Sequence, residues 1–79
     1  MTDYEKIAAH NKAIDDFINV ELAKKFSLKD GKIGACQWFA AQQLIREQGF
    51  YKKAVQLVKE LRLHGISAKI DCQSDKIIV

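Results

Sequence analysis

Seventy-nine residues, 48% apolar and 29% charged, give one small globular domain spanning 1–79 and leave no room for a second. No apolar run approaches the ~18 residues of a membrane span, the N-terminus MTDYEKIAAHNK is too polar for a signal peptide, and two cysteines are too few for a disulfide framework. The net charge of +3 is uneven, with two lysines against five acids in residues 1–23 and eleven basic side chains against five acids in residues 24–79.

In chain order, Thr2 with Glu5 three residues later forms a capping box, so a helix should begin near Asp3. At ~100° per residue, Tyr4, Ile7, Ile14, Ile18, Leu22 and Phe26 share one apolar arc of a long helix ending around Lys25. Asn11 and Asp15 fall inside that arc, whereas Phe17 and Val20 fall outside it, with Ala9 and Ala13. Asp30-Gly31 then signals a type I′ hairpin joining Phe26–Ala35, although Lys29 would face Lys32 across it; a plain loop between helices is the alternative.

A second helix is expected over about 35–48 and a third over about 51–64, each closed by glycine, Gly49 and Gly65, with an apolar residue behind it. Trp38, Ala40, Ala41, Leu44 and Ile45 form the apolar face of the second, with Phe39 stranded among Gln42, Gln43, Arg46 and Glu47. In the tail, Ile66, Ala68, Ile70 and Cys72 alternate with polar residues, Gln73-Ser74-Asp75 offers a turn, and KIIV a last strand. The expected class is α+β: three helices over about 3–25, 35–48 and 51–64, then a C-terminal β-hairpin of about 66–72 and 76–79.

Over about 35–64, Trp38, Ala41, Ile45, Gly49, Tyr51, Ala54, Val58 and Leu61 have a spacing that resembles a tetratricopeptide helix pair. The family's Leu-Gly is replaced by Ala41-Gln42, and no second repeat follows. The resemblance therefore implies only the physics of an antiparallel helical hairpin and transfers no binding residues; the place of Trp38 and Tyr51 on the apolar arcs puts both in the core of that hairpin.

The chemistry-bearing residues point away from catalysis. Cys36, Cys72, His10 and His64 form no metal-ligand pair of the C-x2-C or H-x3-H kind, and the cysteines read as reduced, buried small hydrophobes of a cytoplasmic protein. No glycine-rich phosphate loop occurs, and adjacent acids such as Asp15 and Asp16 point ~100° apart on a helix. No cofactor or metal is expected.

What remains is misplaced apolar surface. Leu63 lies on the third helix among Lys52, Lys53, Gln56, Lys59 and Arg62, opposite the buried arc of Tyr51, Ala54, Leu57, Val58 and Leu61. Phe39 is misplaced on the second helix, and Phe17 and Val20 on the first. These residues suggest contact with the C-terminal strands, a second copy or a partner protein. The charge polarity agrees, since one copy's acidic end could pair with another's basic end. Motif-poor binders of this size include regulators, assembly subunits and the small accessory inhibitors encoded by phages and plasmids. The alternative is nucleic-acid binding through Lys52, Lys53, Lys59 and Arg62, extended by Lys24, Lys25, Lys29 and Lys32, which could track phosphates.

Overall fold

The computed structural model describes residues 2–26, 34 and 36–79, so the Asp30-Gly31 turn, with Lys29 and Lys32, lies outside the described residues. The first helix starts where the capping box requires. Thr2 Oγ1 accepts the Glu5 amide at 3.2 Å, and the acids Asp3 and Glu5 occupy the first turn, where the helix dipole favours negative charge. Helix α1 covers Asp3–Phe17, a π-helical turn covers Ile18–Leu22, and α2 covers Ala23–Phe26, giving one continuous rod.

The π turn departs from the single regular helix expected. Ile14, Ile18, Leu22 and Phe26 repeat every four residues, a spacing that drifts about 40° per step on an α-helix. A turn with more residues per revolution removes part of that drift and keeps Ile14, Ile18 and Leu22 on one buried line. Tyr4, expected on the same arc, is mostly exposed.

Helix α3 spans Trp38–Glu47 and α4 spans Phe50–Leu63, joined by Gly49 at φ +83°. At the far end Gly65 has φ +85°, the Ile66 amide donates to the Leu61 carbonyl at 2.9 Å, and the Gly65 amide donates to the Arg62 carbonyl at 3.1 Å. This is the left-handed stop that the Gly-Ile pair implied, and a Cβ at either glycine would meet backbone strain.

The helices bury their apolar faces in two separate clusters. Ile7 of α1 packs with Ala54, Val58 and Leu61 of α4 and with Ala68 and Ile77 of the tail. Ile14, Ile18 and Leu22 pack with Ala41 and Ile45 of α3, flanked by Phe17, Phe26, Trp38, Leu44 and Phe50. The two short helices thus lie in succession along the rod, and the molecule is elongated, 40 × 20 × 18 Å. The Gly49 turn of the expected helical hairpin is present, but the buried faces of α3 and α4 meet the rod rather than each other. For that reason Tyr51 is turned out to solvent beneath the Arg46 guanidinium, 5.1 Å from its ring, and Trp38 is half-buried.

Strands β1, Lys69–Ile70, and β2, Ile77–Ile78, pair antiparallel with Lys69 opposite Ile78 and Ile70 opposite Ile77. The sheet is shorter than the sequence implied because helices supply the remaining partners. Asn11 Nδ2 donates to the Ile77 carbonyl at 3.0 Å while the Ile77 amide donates to Asn11 Oδ1 at 2.8 Å, so one side chain of α1 does what a third strand would do. Arg62 donates twice, from Nε at 3.3 Å and a terminal nitrogen at 3.1 Å, to the Ala68 carbonyl. Asp15 pairs with Lys76. The two polar residues that spoil the apolar arc of α1 are therefore the ones that dock the tail. The fold class is α+β, three helical stretches followed by a two-stranded antiparallel sheet. Among the described residues no helix is long and apolar enough to cross a membrane.

Candidate functional site

Helix α4 carries the candidate surface. Its buried side is set by Ala54, Val58 and Leu61 against α1 and the tail. Lys52, Gln56, Lys59 and Leu63, spaced four, three and four residues apart, consequently fall on one line of the opposite side, and all four are exposed. Leu63 is 86% exposed, the most open large apolar side chain described, and the strands do not cover it. Lys53 is exposed beside this line.

Other residues expected at the site are placed differently. Arg62 is exposed, but its Nε and one terminal nitrogen are engaged by the Ala68 carbonyl. Phe17 is not an outward residue; it is half-buried against the second cluster, edge-on to Phe50 at 6.0 Å, because the start of α4 reaches round to meet it. Phe39, 72% exposed, and Val20, 49% exposed, do face solvent, but they belong to α3 and the π turn on the other half of the rod. The structure thus brings together Lys52, Gln56, Lys59 and Leu63, and leaves Phe39 and Val20 apart from them.

The basic stripe of the nucleic-acid reading is likewise divided. Lys24 and Lys25 edge an open cleft of about 410 Å³ whose walls are Phe17, Leu22 and Leu44, with Glu21 and Gln48 at its rim. That cleft lies against α3, whereas Lys52, Lys53 and Lys59 are on α4, along the other half of the rod.

One polar cluster escaped the sequence reading. Lys6 Nζ lies 2.8 Å from Glu60 Oε1, and that hydrogen bond and the Glu60 charge raise the Lys6 pKa. Beside it His64 Nδ1 sits 3.0 Å from Asp3 Oδ2, and donor atoms of Asp3, Glu60 and His64 all lie within 4.8 Å of one another. Such a donor set is chemically able to hold a divalent cation. Here each carboxylate already faces a lysine or an imidazole from the opposite helix, and the cluster fastens the start of α1 to the end of α4. Only Glu60 and His64 were visible as an i,i+4 pair; Asp3 is 61 residues from His64 in sequence.

Three further acids are engaged by neighbouring side chains. Asp15 pairs with Lys76, Asp16 with Lys12 at 3.2 Å, and Asp71 accepts from the Ser74 hydroxyl at 2.6 Å. Both cysteines are free but exposed, contrary to the buried reading. Cys36 precedes α3, and Cys72 stands in the turn beyond the ladder, where inward alternation has ended. Replacing both with serine should therefore shift stability by no more than about 1 kcal/mol, about 0.5 kcal/mol for each surface substitution, in thermal unfolding. No protein-family model matches the chain, and no curated protein and no solved structure resembles it at a significant level.

Proposed function

We propose that this chain is a small non-enzymatic binding protein, a regulator or assembly subunit, that acts by seating the outer line of α4 on another protein. The observation that carries this reading is Leu63: an apolar side chain 86% exposed at the end of α4, aligned with Lys52, Gln56 and Lys59. Such an arrangement suits an apolar pocket with an acidic rim, because the leucine gains by leaving water while the lysines meet opposite charge. A second copy is the first partner to test, since residues 1–23 carry five acids against two lysines.

Sedimentation of the parent at low and high salt, with and without nucleic acid, tests the reading directly. Salt-resistant self-association is expected, and Leu63→Asp should abolish it by forcing a charge into an apolar contact. Lys52→Ala with Lys59→Ala should mainly slow association, because rim charges act on encounter. If nucleic acid were the ligand the order would reverse, with the lysine pair reducing the salt slope by about two counterions and Leu63→Asp adding only one more negative charge. Folded variants that both match the parent in self-association and in nucleic-acid titration would overturn the proposal.

A further inference from the structure

Asp75 is the polar residue that the fold serves worst. Its side chain is fully buried, and among the described residues neither carboxylate oxygen has a hydrogen-bond partner. Buried carboxylates normally collect donors, because desolvating one unpaired is costly. Its backbone is in the left-handed region as well, at φ +60°.

The backbone explains how the acid comes to be there. The Asp75 amide donates to the Asp71 carbonyl at 3.0 Å, the Asp71 amide donates to the Lys76 carbonyl at 2.8 Å, and His10 Nε2 lies 2.9 Å from the Asp75 carbonyl oxygen. Turn closure therefore fixes the main chain and carries the side chain inward. Each neighbouring element presents a charged or titratable group. From α1 there is His10, with Asp15 engaged by Lys76 at the flank; from α3 there is Arg46; from the turn there is Asp71. Arg46 Nε stands 3.9 Å from Asp75 Oδ1, too far for a hydrogen bond, and its guanidinium lies over Tyr51 of α4. Burial pushes the Asp75 carboxyl up and Asp71 adds to the rise, while Arg46 and His10 pull it down.

We propose that Asp75 is a proton-linked spring in the C-terminal hairpin, a buried carboxylate without a hydrogen bond and only loosely compensated by Arg46, that favours lifting of the Asp71–Lys76 turn from α1 and α3 so that the acid reaches water. The protonated acid rests in place, so the hairpin is held tightest at low pH. With a folded pKa above the ordinary carboxylate value of ~3.9, this contribution is complete below that value. It is lost as pH rises through the raised folded pKa, above which the strain is constant. At neutral pH the hairpin is then the first part of the fold to open, ahead of the helices.

Native-state hydrogen exchange of the full chain, corrected for intrinsic rates, reads this out at the Ile77 amide, which donates to Asn11 across the lifting interface. In the parent, Ile77 should be less protected than Ile45 of α3, and its protection should fall as pH rises out of the carboxylate range. Asp75→Asn tolerates the same backbone, brings its own donors and carries no charge. It should raise Ile77 protection at neutral pH by about 5- to 150-fold and flatten the pH dependence. Arg46→Gln removes the nearest countercharge and should lower Ile77 protection. The proposal is overturned if the Asp75 carboxyl carbon, followed by NMR in the parent, titrates at the ordinary value. It is equally overturned if Ile77 is as protected as Ile45, or if neither variant moves its protection.

Discussion

Leu61→Ala is expected to cost about 3–5 kcal/mol, a large part of the roughly 4–12 kcal/mol that a domain of this length possesses. Leu61 is fully buried and lies where three elements meet, with Ile7 of α1, Ala54 and Val58 of its own helix, and Ala68 and Ile77 of the tail. A cavity there has walls on every side, so relaxation can fill little of it. Ile45→Ala should cost a similar amount in the second cluster, where Trp38 packs at the edge. Urea unfolding followed by Trp38 fluorescence and by far-ultraviolet circular dichroism provides the comparison. Coincident transitions in both variants mean that the rod couples the two clusters into one cooperative unit. A loss below about 1 kcal/mol for Leu61→Ala would mean that the tail and α4 do not share a core.

Asn11→Ala is expected to cost about 2–4 kcal/mol. Truncation leaves both the Ile77 amide and the Ile77 carbonyl without the partner that α1 provides, and each orphaned group costs about 1–3 kcal/mol where water is excluded. Partial burial of Asn11 places the sum toward the lower part of that range. Asn11→Leu should not restore stability, since an apolar side chain of similar size still offers nothing to either group. Asn11→Asp should recover only the bond to the Ile77 amide and set a carboxylate against the Ile77 carbonyl. Chemical denaturation ranks the three variants; a change under about 0.5 kcal/mol for Asn11→Ala would show that water replaces the side chain without loss.

Local features were legible in the sequence because their hydrogen bonds close within a few residues. Thr2 and Glu5 set the first helix start, and Gly49 and Gly65 set two stops through positive φ, without regard to the rest of the chain. The exposure of Leu63, Phe39 and Val20 was legible as well, since apolar residues opposite a buried arc stay outside unless something distant covers them. Pairing between distant segments was not legible. Tyr51 faces out because α3 and α4 pack in succession on one rod, a choice that spacing within the two helices does not encode. Phe17 is covered by Phe50, Arg62 is tied to Ala68, and Asp3 meets His64 through contacts between residues far apart or across a turn.

The sequence by itself determined where the first helix begins and where the last two stop, which stripes are apolar, and that the tail changes to a two-residue period. Only the tertiary structure decided what Asn11, Asp15 and Asp75 are for. Each is polar in a place where solvation argues against it, and its role depends on which backbone groups or charges the folded chain brings within about 3–4 Å. Asn11 and Asp15 found partners in the tail, whereas Asp75 was carried inward by the turn with only the Arg46 guanidinium near it, at 3.9 Å. Side-chain periodicity reports water or core along one element, but a hydrogen bond or an ion pair needs a second element at a definite distance, and that distance exists only once the chain has closed on itself.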